Sequence, residues 1–66
     1  MKNLVKVERA KINLAQQELA ELTNVSRQTI HSIESGKFLP SCALAMKIAK
    51  VFKLKVEDVF ILEDSD

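Results

Sequence analysis

The sequence predicts an all-α domain, a compact bundle of five short helices. Three observations predict it. The chain has 66 residues, enough for one domain with a small core. A single Gly and a single Pro leave little turn chemistry for building sheets. Apolar residues recur at helical spacing in several runs, and residues that start or stop helices punctuate those runs. Hydrophobic residues make up 47 % and charged residues 29 %, a globular rather than disordered balance.

The first helix is expected over about Asn3 to Ile12, with Leu4, Val5, Val7 and Ile12 as its imperfectly periodic apolar positions. The second runs from about Gln16 to Leu22, where Leu19, Ala20 and Leu22 are apolar, and Asn24 can take the left-handed conformation that ends it. The third has the clearest signals. Ser26 is a good N-cap, Ile30 and Ile33 stand three residues apart, and Gly36 follows Arg27 to Ser35 as a C-terminal stop. After a loop over 37–40, Ser41 caps a fourth helix of about Cys42 to Phe52, whose Leu44, Ala45, Ile48, Ala49 and Phe52 repeat at helical spacing. A turn at 53–55 leads to a fifth helix, Val56 to Ile61, and an acidic tail over 62–66.

Charge is unevenly placed. All ten Lys and Arg lie in residues 1–56 with only four acids, a net of +6, whereas residues 57–66 carry five acids and no base. A basic body can attract phosphate, and the tail would be repelled by it. No stretch is long and apolar enough for a signal peptide or a membrane span, and the lone Cys42 cannot close an internal disulfide. The expectation is a cytoplasmic protein without membrane contact.

Residues 16–35 have the chemistry of a helix-turn-helix. Ala20 is small where two helices must approach, Asn24 permits the sharp turn, and Val25 and Ile30 plug the space between helices. Ser26 then starts a helix whose first turns offer Arg27, Gln28, Thr29, His31 and Ser32. Arg bonds guanine bidentately, Gln can do so with adenine, and hydroxyls or a methyl serve the rest. A helix N-terminus attracts phosphate.

From Leu19 to Gly36, with Val25-Ser26-Arg27-Gln28-Thr29-Ile30 and Ile33-Glu34-Ser35-Gly36-Lys37, the chain resembles the Cro and phage-repressor family of helix-turn-helix regulators. The likeness continues through Pro40-Ser41, Leu44-Ala45, Ile48-Ala49, Val51-Phe52 and Val56 to Phe60, and is nearest to the short, single-domain members. It implies a lambda-repressor-like DNA-binding fold spanning 1–66. It implies Arg27, Gln28 and Ser32 as base readers, with Thr29 and His31 touching backbone or flanking bases. Gln16, Ser26, Lys37 and Phe38 would meet phosphate. Arg9 and Glu34 match a structural ion pair joining the first helix to the end of the third. Three positions depart from the pattern. Ala15 replaces a Ser or Thr cap while Glu18 keeps the other half of a capping box, Glu8 replaces an apolar residue, and Lys53 replaces a Gly.

Other readings are bland. His31 and Cys42, with scattered acids, do not make a metal set, and no cofactor is expected. Cys42 reads as a small packing residue. Ser26 and Ser41 lack a nucleophile–base partner, and no phosphate-cradling Gly loop is present, so an enzyme is not expected. Phe60, Ile61 and Leu62 cannot all face one way on a helix. They are expected to form a dimer interface through the fifth helix. The expected function is a sequence-specific transcriptional repressor that binds double-stranded DNA, at a palindromic operator, as a homodimer. The alternative is an antitoxin-like module whose C-terminal region binds a partner protein and which regulates its own operon.

Overall fold

The computed structural model describes residues 1–64, so Ser65 and Asp66 of the expected acidic tail lie outside the described residues. Five helices follow in chain order: α1 Val5–Lys11, α2 Gln16–Thr23, α3 Arg27–Glu34, α4 Cys42–Val51 and α5 Val56–Val59. To these the fold adds a two-stranded antiparallel ribbon, β1 Lys2–Asn3 with β2 Phe60–Ile61, in the register Lys2↔Ile61 and Asn3↔Phe60.

The ribbon shortens two expected helices. Asn3 is in a strand rather than in the first helix, and its Oδ1 accepts from the Val5 N–H at 3.3 Å, acting as the start signal for α1. Its amide also donates to the Ile33 carbonyl at 2.9 Å, tying the chain start to the end of α3. At the other end, Phe60 takes extended angles (φ −113°, ψ 113°), so the fifth helix ends at Val59 and not at Ile61. The Leu4 N–H donates to the Val59 carbonyl at 2.8 Å and extends the pairing toward α1.

The core fills the space between α2, α3, α4 and the ribbon. Val5, Leu19, Ile30, Ile33, Ile48 and Val59 are essentially inaccessible, and Phe60 is 6 % exposed. Ala20, fully buried, keeps α2 and α3 close. Buried Thr23 is satisfied because its hydroxyl donates to the Leu19 carbonyl at 2.8 Å. Val7, Ile12 and Leu22, expected as apolar helix positions, instead face solvent at 50 %, 53 % and 63 % exposure. Cys42 is also exposed, which corrects its reading as a packing residue. It is the first residue of α4, and its thiol lies 3.9 Å from the Met46 sulfur on the outer face.

Helix ends follow local chemistry. Ser26 and Ser41 accept from the Thr29 and Leu44 N–H groups at 3.1 and 3.2 Å. Asn24 ends α2 in the left-handed region at φ 60°. Gly36, at φ 79°, ends α3, and since a Cβ there would meet nothing within 4 Å, backbone angle rather than space calls for glycine. Lys53 takes φ 58° after α4, a conformation that disfavours a side chain by roughly 1–2 kcal/mol. Ala15 precedes α2 with extended angles and no side-chain bond, although Glu18 returns to its N–H at 2.9 Å. Supplying the missing half of the box should help. Ala15→Thr is expected to raise stability by about 1 kcal/mol, read as an upward shift in urea midpoint at unchanged slope. No gain would show that α2 does not need this cap.

Candidate nucleic-acid interface

The start of α3 presents a polar, exposed face. Arg27, Gln28 and His31 are exposed and together line one open depression of about 450 Å³. All three lie on consecutive turns of the helix that Ser26 begins, so the cap sets the point from which they project. Thr29 is half-buried, and its hydroxyl lies 3.0 Å from the Ser26 hydroxyl, which limits its reach. Ser32 is also half-buried and, although one turn after Gln28, does not line that depression.

After α3 the chain folds back on Ser32. Its carbonyl accepts from the Lys37 and Phe38 N–H groups at 2.9 and 3.2 Å. This leaves the Lys37 ammonium and the Phe38 ring, rather than their amides, available for contact. Both residues are exposed.

Glu34 organises the other side of α3. The Arg9 guanidinium donates Nε to Glu34 Oε2 at 2.7 Å and Nη2 to Oε1 at 3.1 Å, a two-pronged ion pair. Arg9 Nη1 also donates to the Leu14 carbonyl at 2.7 Å, fixing the α1–α2 connection. The Gln16 amide donates to Glu34 Oε1 at 3.0 Å. Gln16, the first residue of α2, is therefore bonded to the last residue of α3. Lys6 lies near the same carboxylate and shares a second depression with Gln16, His31, Glu34 and Ser35. Sequence reasoning missed Lys6, since an exposed lysine in a short helix has no local signature. It also missed the Gln16 bond, which spans eighteen positions.

Burial alone would push the Glu34 carboxyl up. Hydrogen bonds from Arg9 and Gln16, with the charges of Arg9 and Lys6, outweigh that and hold it below its ordinary value. The hydrogen bond to Glu34 leads the opposite shift in Arg9, whose proton is held more tightly despite desolvation.

The remaining expected residues divide. Phe60 is packed into the chain's own core, while Ile61 and Leu62 are 36 % and 78 % exposed. With Met1, Leu39 and Val56 they line an open apolar groove of about 560 Å³, to which Phe60 contributes. Among the described residues there is no group of three His, Cys, Asp or Glu arranged to hold a metal ion, and no helix is long and apolar enough to cross a membrane.

Two short helices crossing at a tight turn, the second offering an exposed polar face, define a helix-turn-helix protein. Comparison with known proteins agrees. The chain belongs to the helix-turn-helix family, whose profile matches residues 5–59. This is the family that the sequence resemblance implied, and it is a regulator family rather than an enzyme class. The chain is 56 % identical over 66 residues to an HTH-type transcriptional regulator of Methanocaldococcus jannaschii, covering all of both chains. It is 48 % identical over 66 residues to the HTH-type transcriptional regulator YgzD of Bacillus subtilis, again covering all of both. Among solved structures it is similar to the clp gene regulator ClgR of Corynebacterium glutamicum, with a TM-score of 0.77 and 26 % identity. That match covers 82 % of this chain and 57 % of ClgR, so this chain spans little more than half the ClgR length.

The Arg9–Glu34 pair is nearly dry, with 14 % and 6 % of the side chains exposed. Removing one partner strands the other charge. Arg9→Met is expected to cost about 3–5 kcal/mol. At roughly 0.05–0.15 kcal/mol per residue that is a large share of this domain's stability. Replacing both partners by Met should cost far less. Thermal melts of the single and double variants check this, and equal losses would show that no stranded charge contributes to the cost.

The pH dependence follows from the lowered Glu34 value. Stability from this carboxylate is complete above the ordinary carboxyl value of 4.5 and is lost as pH falls through the lower folded value. Melting curves from pH 6 down to pH 2 should therefore show the gap between wild type and Glu34→Gln closing at the acid end. A gap independent of pH would mean that the carboxylate charge contributes nothing.

Proposed function

We propose that this chain is a sequence-specific DNA-binding transcriptional regulator of the cytoplasm, a repressor that occupies a palindromic operator as a homodimer. One observation carries the reading: Arg27, Gln28 and His31 stand exposed on the first turns of a capped helix, in a single depression, on a helix-turn-helix scaffold. Helices of this kind lie in the major groove with N-terminal residues at base edges.

The roles follow from chemistry and exposure. Arg27 would bond guanine O6 and N7, and Gln28 adenine N6 and N7. His31 reaches bases or backbone at the edge of the site. Thr29 and Ser32, half-buried, serve as closer-range contacts through methyl or hydroxyl. Gln16, Ser26, Lys37 and the Phe38 ring would lie along the phosphates. Gln16 keeps one amide hydrogen beyond its Glu34 bond, and Lys37 contributes a full charge. The acidic end of the chain would lie away from the DNA.

Two copies would meet through Ile61, Leu62 and the apolar groove they line, with Phe60 as its floor. Exposed apolar side chains gathered in one place favour association. Isologous pairing would set two reading helices about one helical turn apart along DNA, matching a palindrome. Repression needs only occupancy of the promoter.

Arg27→Ala is expected to cost about 1–3 kcal/mol of specific binding and to relax preference at one base. Lys37→Ala should instead weaken binding to all sequences and lower the salt slope by about 1. Fluorescence anisotropy against a specific and a scrambled duplex across salt separates the two. Unchanged affinity and preference in Arg27→Ala would remove that residue from the site.

Leu62→Glu should shift the protein to monomer in sedimentation equilibrium. Operator affinity should then fall by about 100-fold or more as the bivalent advantage is lost. A monomeric wild type would overturn the dimer.

A further inference from the structure

We infer that a second groove, between α4 and α5, receives the acidic end of a partner copy of this chain, Leu62 to Asp64 by its side chains. The inference rests on the homodimer reading. The groove has a volume of about 690 Å³, and Lys47, Lys50, Lys53 and Lys55 rim it. Its apolar lining includes Met46, Leu54 and Val56, of which Met46 is 57 % exposed. Among the described residues no Asp or Glu lines it.

Among the described residues none of the four lysines has a carboxylate within ion-pair distance. Lys47 and Lys50 stand one turn apart on α4, a spacing at which like charges repel. The C-terminal end of α4 favours Lys50 and Lys53 through the helix dipole. That does not account for Lys47 or Lys55. The groove shares no residue with the Arg27, Gln28 and His31 depression.

The complement lies within the same chain. Leu62, 78 % exposed, is followed by Glu63 and Asp64. One apolar anchor leads into two carboxylates, the inverse of an apolar floor with a basic rim. In its own chain this segment goes elsewhere. Glu63 lies 3.7 Å from the Met1 ammonium, and among the described residues none beyond Val56 lines the lysine groove. The Met1–Glu63 pair is long and its carboxylate is largely in solvent, so the pair is of small energetic weight. The lysine groove also adjoins the proposed dimer surface at Val56, which lines both. A copy seated on the first groove brings its acidic end toward the second. Reciprocal docking closes the pair and leaves no free groove for further copies.

A mixture of ¹⁵N-labelled and unlabelled protein, treated with a zero-length carbodiimide cross-linker, tests this by mass spectrometry alongside sedimentation. The expected product is a mixed-isotope link from Glu63 or Asp64 to Lys47, Lys50, Lys53 or Lys55. Lys50→Glu with Lys53→Glu should abolish it and raise the dimer dissociation constant about tenfold, the scale of a few exposed ion pairs. Adding Glu63→Lys and Asp64→Lys to that variant should restore dimerisation, which a merely misfolded variant would not do. A dimer lacking the mixed link overturns the docking and leaves the dimer reading intact, whereas a monomer overturns both. Lysine variants that lose DNA affinity while the dimer is unchanged would show that the groove faces nucleic acid instead.

Discussion

The Glu34 carboxylate is where the two halves of the reading unit and the first helix meet. It accepts two bonds from Arg9 and one from Gln16, so α1, the start of α2 and the end of α3 converge on one charged group. The same guanidinium holds the Leu14 carbonyl in the connection between α1 and α2. A domain of this size has few buried residues to fix angles between helices as short as seven or eight residues. Directional bonds to a nearly dry charge supply that angular definition. Hydrophobic contact through Leu19, Ala20 and Ile30 supplies the adhesion. The division explains why Arg9 and Glu34 belong to the scaffold although they lie beside the proposed phosphate anchor Gln16.

From that fixed unit the chemistry divides by side. Polar side chains at the start of α3 face outward, the basic loop residue Lys37 follows them, and the apolar groove at the chain ends lies elsewhere on the molecule. Asn3 and the β1–β2 pairing hold the two-stranded ribbon against α3 and α5. The surface proposed for pairing two copies is thus joined to the reading helix by backbone and amide bonds. A firm link of this kind would serve the proposed reading of a palindrome, in which two helices must hold a set separation.

Local chemistry was legible in the sequence. Ser26, Asn24, Gly36 and Ser41 mark helix ends through their own backbone angles and side-chain bonds, and those ends lie within a residue or two of where they were expected. The family and the DNA-facing candidates followed from the same stretch. What escaped was non-local. Two-residue strands carry no periodic signal, and Lys2 pairs with Ile61 across nearly the whole chain. Because of that pairing Phe60 turns into the core, leaving Ile61 and Leu62 as the exposed part of the expected interface. Val7, Ile12 and Leu22 look like core residues by type, but they stand half or more in solvent. The Arg9–Glu34 pair was reached through family resemblance, since nothing in their spacing connects positions nine and thirty-four.

The central claim is that α3 reads DNA from its first two turns. Its most direct test is to select duplexes from a random pool with the wild-type protein and titrate the recovered duplex into ¹⁵N-labelled protein by NMR. The account predicts a symmetric site, with the largest amide and side-chain shifts at Arg27, Gln28 and His31, smaller ones at Gln16 and Lys37, and little change in the interior of α4. Failure to recover a preferred sequence, or shifts centred on α4 and α5 with α3 unmoved, would contradict it.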